Sequence, residues 1–179
     1  MKNLTLAQYA RLPDTSLYDA VLEHLNPCNS FGGKTMETSA MPYANVKYAI
    51  RMLRNLSSWE QVCSLFAICY GIDKKTFWPC RIADYFPARR FLLQELERII
   101  TAETQLLSTQ STDSHLWHMA GADRLTPYSD TLPLLQLGKL LGQYPYDLGR
   151  RPYGEIFSLL AQTKAQNEVE NEYQKLARS

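Results

Sequence analysis

The sequence predicts an all-α fold, a compact helical domain with a projecting polar C-terminal helix, and three observations carry that expectation. Large apolar residues recur every three or four positions over several stretches, the spacing that gathers them on one face of a helix. The β-branched residues are scattered and do not alternate with polar ones in the period-two pattern of a half-buried strand. Helix punctuation sits where the periodic stretches end, with Ser or Thr before them and Gly or Pro after.

The elements follow in chain order. Two short helices are expected over Leu4–Arg11 and Ser16–Leu25, the second capped by Thr15 or Ser16, with Leu17, Ala20, Val21 and His24 on one face. Asn26-Pro27 ends it. Cys28 to Pro42 is rich in Asn, Ser, Gly, Lys and Thr and contains Gly32-Gly33, so it reads as a loop or hinge. It divides the chain into an N-terminal part, residues 1–42, and a main helical domain, residues 43–179.

In that domain Val46, Ile50, Leu53 and Leu56 recur at helical spacing. Ser57-Ser58-Trp59-Glu60 then supplies a capping box, with Glu60 reaching back to the start of the next helix. This helix, Ser58 to Tyr70, has a stripe of Trp59, Val62, Cys63, Phe66 and Cys69 or Tyr70, and ends at Gly71, a residue suited to a left-handed cap. After a less regular piece, Asp73 to Phe86, Pro87 is expected in the first turn of a long helix reaching Leu107. Leu92, Leu96, Ile99, Glu103 and Leu106 form its main stripe, flanked by Leu93, Ile100 and Leu107, a face wide enough to pack on two neighbours.

A polar connection, Ser108 to Ser114, leads into the last third. From Trp117 to Leu160 the chain is apolar and aromatic, and Ala161 to Ser179 is polar and helix-favouring. A short helix near Leu116–Ala120, a turn at Pro127–Asp130, and an apolar helix from Asp130 to Leu141 closed by Gly142 are expected, with Pro145-Tyr146-Asp147 turning the chain. Pro152 opens the final helix, an arm of residues 152–177 that docks through Ile156, Leu159 and Leu160. Val169, Tyr173 and Leu176 then reappear on one side of it. Such a triplet either meets a partner or a second copy, or folds back on its own chain.

Composition narrows the function classes. At 179 residues and 45% hydrophobic, the chain can bury a real core. A net charge of +1, from 19 basic and 18 acidic side chains, gives no global field to attract a polyanion, which disfavours extended nucleic-acid binding. Cys28, Cys63, Cys69 and Cys80 form no C-x-x-C pair, and free thiols in a reducing compartment are the natural reading. No apolar run reaches bilayer length and the first residues carry no signal-peptide core, so a soluble, cytoplasmic, membrane-free protein is expected.

Candidate chemistry is sparse. His115 and His118 stand a turn apart near Asp113 and Asp123, but no further ligands complete a metal site, and surface or cap histidines are the ordinary reading. His24 is isolated. Gly32-Gly33-Lys34-Thr35 resembles the end of a phosphate-binding loop but lacks the earlier glycine and follows no strand. Cys28 has no local base that would make it a nucleophile. No catalytic residue, metal or cofactor is therefore assigned, and the chain is not read as an enzyme.

Arg81, Arg89, Arg90 and Arg98 lie close to Phe77, Trp78, Tyr85 and Phe86, a mixture that grips phosphates and stacks bases in some proteins. Its ordinary counterpart has the aromatics in the core and the arginines paired with Asp84, Glu95 and Glu97. Arg81, Arg89 and Arg90 remain the alternative, nucleic-acid-binding set of a small helical regulatory protein. Arg150-Arg151 precedes Pro152 and suits carboxylates on a partner surface.

The succession Ala120-Gly121-Ala122-Asp123-Arg124-Leu125, Leu137-Gly138-Lys139 and Arg151-Pro152-Tyr153-Gly154-Glu155-Ile156, ending in a polar helix with Tyr173 and Leu176, resembles small structural or tail-assembly proteins of tailed bacteriophages. The upstream helix pair and the long helix with Gln94-Glu95-Leu96-Glu97 are compatible with that likeness, which covers about the last two-thirds of the chain. The resemblance implies a non-enzymatic, chaperone-like protein that binds a tail component such as the tape-measure protein, or holds a place in the virion. It implies work in the host cytoplasm, other phage tail or virion proteins as partners, and room for a homo-oligomer. The partner-binding residues expected on this reading are Arg150, Arg151, Tyr153, Val169, Tyr173 and Leu176.

Overall fold

Apolar spacing and helix caps settle the elements. The computed structural model describes residues 3–107 and 114–178, and among these the protein is built from α-helices and one 3-10 helix, with isolated backbone bridges and no strand. The protein is all-α. The Ser108–Ser114 connection falls almost wholly outside the described residues.

The helices are α1 (Leu6–Tyr9), α2 (Ser16–Leu22), α3 (Tyr43–Leu53), α4 (Trp59–Tyr70), α5 (Lys74–Phe77) and α6 (Ile82–Leu107), then α7 (Ser114–Met119), a 3-10 helix over Ala122–Tyr128, α8 (Leu132–Leu141), α9 (Pro145–Arg150) and α10 (Tyr153–Arg178). They gather into two compact units. One takes the residues up to Met41 together with Asn45–Ile100, the other Pro42–Ala44 and the residues from Thr101 onward. The contacts therefore do not divide at residue 42 as the loop composition suggests, because the segment before it packs into the core of the first unit.

That packing explains why Cys28 to Pro42 is not a hinge. Phe31 and Lys34 exchange backbone hydrogen bonds of 2.9 and 3.0 Å across Gly32-Gly33. Both glycines have positive φ, 55° and 74°, a turn geometry that a side chain would strain. The Asn29 amide clamps the next segment, accepting from the Met36 N–H and donating to its carbonyl, each at 2.8 Å. With the turn fixed, the buried Phe31 ring sits 4.7 Å from Phe66, 5.6 Å from Phe77 and 6.1 Å from Tyr70, centroid to centroid. Such edge-on and tilted aromatic contacts add to simple burial.

The remaining elements assemble on this cluster. Thr5 caps α1 in a reciprocal box with Gln8, and backbone bonds of 2.9 Å from Leu6 to Cys80 and from Ile82 to Leu4 pin the N-terminal segment to the start of α6. The box that opens α4 uses Ser58 and Gln61 in place of Ser57 and Glu60, since the helix begins one residue later than the serine pair suggests and Gln61 then occupies the third position. Gly71 closes α4 with φ 65°, as expected. Long helix α6 starts five residues before Pro87, which lies inside it. A proline this close to the start removes one helical donor, and its own carbonyl accepts from the Cys28 N–H at 3.1 Å.

Two expected faces turn out differently. Thr15 occupies the cap position of α2 but makes no capping bond; its hydroxyl goes to Asp19 at 2.8 Å, and Asp14 accepts from the Ser16 N–H at 2.9 Å. The Leu17, Val21 and His24 face is open to solvent, Leu17 at 83% exposure, while Leu22 takes the buried position. On α6, Leu92, Leu96 and Ile99 are buried as predicted, but Leu106, expected on the same stripe, is 52% exposed. Beside them Thr38 is buried and donates at 3.0 Å to Glu95, whose carboxylate also takes a bidentate Arg98.

In the second unit Tyr43 and Tyr153 stack at 5.9 Å, Tyr153 stacks on Phe157 at 5.7 Å, and Leu134, Leu137, Leu148 and Ile156 complete the core. A backbone bond of 2.9 Å from Tyr43 to Arg151 sets the register of Pro42 against Pro152. Gly142 caps α8 with φ 65°. Pro145 then opens α9 where only a turn was expected, because its fixed φ suits the first helical position. The corner between α8 and α9 is tight. A Cβ on Gly138 would lie 2.6 Å from the Gln143 carbonyl oxygen, whose backbone cannot yield.

Two measurements test this account. Phe31→Ala should cost about 3–5 kcal/mol in denaturant unfolding, the range for an aromatic ring lost from a packed core; a change under about 1 kcal/mol would mean that the loop is not held. The hydroxyls of Tyr9 and Tyr85 are pushed up to about 12, by burial first and, for Tyr9, next by the Asp19 carboxylate to which it donates. Their contribution is complete below pH 10, where folded and unfolded chains both hold the proton, and fades as the pH rises toward about 12, because the unfolded chain ionises first. Helical circular dichroism and tyrosinate absorbance, followed together through this window, should change in step.

Candidate interaction site

The last helix carries the feature that most needs a function. α10 runs from Tyr153 to Arg178, and from Ala165 to its end every residue is exposed. Its first half is anchored by buried Tyr153 and Ile156 and half-buried Leu159 and Leu160. Leu160 lines a cavity of about 370 Å³ with Leu107, Pro133 and Leu137, so this face of α10 looks toward α8. Val169 follows Leu160 by nine residues, about two and a half turns, and therefore lies on the opposite side. Tyr173 and Leu176 continue from Val169 at helical spacing. The three are 70%, 72% and 68% exposed, a seam of large apolar groups on the side facing away from α8.

The seam has acidic borders. Glu168, Glu170 and Glu172 surround Val169 without a cation between them in sequence. Glu168 meets Lys164 at 3.2 Å, Glu170 accepts from Gln166 at 2.8 Å, and Glu172 lies 3.6 Å from Lys175. These side-chain pairs one turn apart support a helix that little else packs against.

A second exposed patch of the same unit lies at the α8–α9 corner, which sequence reasoning did not single out. Leu140, Tyr144 and Tyr146 are 64%, 70% and 62% exposed, and Leu141 is exposed beside them. The signal was present in six leucines on a ten-residue helix, since leucines on all sides of α8 cannot all face one core. Arg150 lies over the Tyr146 ring, 4.5 Å from its centroid, and donates to the Tyr146 hydroxyl at 3.0 Å. Exposed Lys139 adds a second cation.

Of the expected partner-binding residues, the structure leaves Arg150, Val169, Tyr173 and Leu176 at the surface. Arg151 is half-buried, paired with Glu155 at 2.6 Å and donating to Gln143 at 3.3 Å. Tyr153 is a correction. Its ring lies between Tyr43 and Phe157, and its hydroxyl donates to Glu103 at 3.1 Å, so it belongs to the core.

The arginine and aromatic cluster follows its ordinary reading in part. Phe77, Tyr85 and Phe86 are buried and Trp78 is half-buried. Arg81 makes a bidentate pair with Asp84 at 2.8 and 3.0 Å, Arg98 pairs with Glu95, and Arg90 donates to the Leu25 carbonyl at 3.0 Å. Arg89 is exposed and borders a cavity of about 410 Å³ lined also by Tyr9, Asp19, Trp59 and Tyr85. Its guanidinium draws the Tyr85 hydroxyl down slightly against the larger upward effect of burial.

Among the described residues no three His, Cys, Asp or Glu side chains come together in a way that could hold a metal ion. His118 lies 3.4 Å from Asp123, and Asp113 falls outside the described residues. Gly32-Gly33-Lys34-Thr35 forms the tight turn already described. None of the described helices is long and apolar enough to cross a membrane. Cys28, Cys63, Cys69 and Cys80 are free thiols: Cys63 and Cys69 are buried, Cys80 half-buried and Cys28 exposed. Burial pushes the Cys69 thiol up to about 12 and raises Cys63 and Cys80.

No family model, curated protein or solved structure compared with the chain matches it. The thiols offer a direct check on the placement of these helices. Alkylation at neutral pH followed by mass mapping should label Cys28 first and Cys69 last, because a protonated, buried thiol is a poor nucleophile. Equal labelling of the two in the folded protein would contradict the packing of α4.

Proposed function

We propose that this protein is non-enzymatic and works by holding other proteins, and that its partners are tail or virion proteins of a tailed bacteriophage, the tape-measure protein among them. One observation carries the first half. A helix exposed along its last turns keeps Val169, Tyr173 and Leu176 in a single seam, where a helix with no partner gains nothing from large apolar side chains. The second half is supported by the tail-protein-like succession from Ala120 to Ile156 and by the polar helix that ends it.

The chemistry suits a chaperone-like task. Shielding an exposed apolar surface of an aggregation-prone partner takes an apolar strip with polar borders, and Tyr173 supplies contact area at low entropic cost. The task needs no reacting group. Acting in the host cytoplasm, the protein would either release its client during assembly or stay with it in the particle.

Co-expression with tail proteins of a tailed bacteriophage, the tape-measure protein among them, followed by affinity capture, tests the proposal. The wild-type chain should retain one of them, and Tyr173→Glu should weaken that capture by about thirtyfold, as for a central contact residue. Capture of none, under conditions where each candidate is soluble, would overturn the phage reading.

A further inference from the structure

The cavity of about 410 Å³ bordered by Arg89 belongs wholly to the first unit. Its volume lies within the roughly 300–1,000 Å³ of small-molecule sites. The wall is aromatic. Tyr9, Tyr85 and Phe86 are buried and Trp59 is half-buried, and these four rings brace one another at centroid distances of 5.4 to 6.0 Å. A wall held in this way is formed before any ligand arrives.

One polar group in that wall has no use within the fold. Tyr85 is only 4% exposed, yet its hydroxyl has no hydrogen-bond partner among the described residues. No described side-chain oxygen or nitrogen is both sealed off and unpartnered, so this hydroxyl opens onto the cavity that its ring lines. A donor held in so buried a place is costly until something accepts from it. Exposed Arg89 likewise makes no ion pair among the described residues. Its guanidinium is near enough to draw both the Tyr9 and Tyr85 hydroxyls down against the larger effect of burial. Arg89 and the Tyr85 hydroxyl thus act on one small region, a pair of donors suited to a carboxylate.

The acidic border of the cavity is half used. Asp19 accepts from the Tyr9 hydroxyl on one oxygen and from Thr15 at 2.8 Å on the other. Glu23, one turn further along, is exposed and has no partner among the described residues; it does not pair with Arg89 although both border the cavity. One cation, one anion and an aromatic wall are therefore uncommitted. An anionic ligand would satisfy Arg89 and be opposed by Glu23, and a cationic one would meet the reverse. We infer that the cavity binds a small zwitterion with an apolar body, an α-amino acid whose carboxylate meets Arg89 and the Tyr85 hydroxyl, whose ammonium meets Glu23 and whose side chain lies on Trp59.

Calorimetric titration of the full chain with L-phenylalanine and L-leucine, a ring and an alkyl body, tests this inference. Two further probes each lack one charge: N-acetyl-phenylalanine has no ammonium and phenylalanine amide has no carboxylate. The wild type should bind at least one of the free amino acids saturably, and phenylalanine more tightly than either derivative by about tenfold to a hundredfold, the range for one lost charge-assisted hydrogen bond. Arg89→Gln and Glu23→Gln, both at exposed positions, should weaken the amino acid by a similar factor. The amide should not respond to Arg89→Gln, since it lacks the group that Arg89 holds. Tyr85→Phe removes only a hydroxyl that bonds nothing within the described fold, so binding should fall while the denaturant midpoint holds or rises.

Failure of both amino acids to bind at millimolar concentration would overturn the inference. So would equal binding of the N-acetyl derivative, which makes the cavity a site for anions alone, or an affinity that neither Arg89→Gln nor Glu23→Gln disturbs. A lower midpoint for Tyr85→Phe with binding intact would assign the hydroxyl to the fold and remove it from the site. These outcomes are separate from those of the capture experiment, which uses α10 and no residue of this cavity.

Discussion

The burial of Phe31 is the constraint on which the first unit depends. A single ring enters between α4, α5 and α6, and it gets there only because Gly32 and Gly33 reverse the chain within two residues. The segments on both sides of it are held to the same core. Cys28 is tied to the Pro87 carbonyl, Asn29 holds Met36, and Thr38 reaches Glu95 on α6. A polar, glycine-containing segment thus behaves as core, since the free energy of one buried aromatic side chain outweighs the loop-like preferences of its neighbours.

Helix existence was legible where apolar spacing and caps agreed. The stripes of α4 and α6 and the glycine caps at Gly71 and Gly142 follow from residue type alone, because a left-handed cap and a helical stripe are local properties. Boundaries were less legible for an equally local reason. Ser57 and Ser58 can both begin a capping box, and only the packing of Trp59 against Tyr9 and Tyr85 distinguishes Glu60 from Gln61 as the reciprocal partner. Pro87 misled in the same way. A proline marks a helix start when nothing precedes it, but here the bridge of Thr5 to Arg81 starts the helix five residues earlier. The depth of Phe31 had no signal in the sequence, since nothing in Asn-Ser-Phe-Gly-Gly says which rings it will meet.

The candidate site was legible in part. Val169, Tyr173 and Leu176 stand out in any polar helix, and their spacing predicts a common face whatever lies nearby. Whether that face is covered by the chain itself is a tertiary question, answered only once Leu160 is seen to face α8. Arg150 was found by charge, yet its setting was not, because the exposure of Leu140, Tyr144 and Tyr146 depends on Gly138 permitting a corner tight enough to leave them outside. Tyr153 shows the converse. Its neighbours Arg151 and Pro152 place it in a surface-like stretch, and its burial is set by Tyr43, more than a hundred residues away in the chain.

The length of the seam bears on what can bind it. Val169, Tyr173 and Leu176 follow the four-three spacing of a coiled-coil stripe, but Gln162 and Gln166 stand at the positions that would extend it toward the N-terminus. The stripe is therefore a single heptad, whereas helices that pair by this pattern alone sustain it over about three or four. Docking against another straight helix would leave Tyr173 covered on one side only. A concave or angular surface with its own aromatic rings can surround the tyrosine from several directions and exclude water around it, which is what makes a short contact energetically significant.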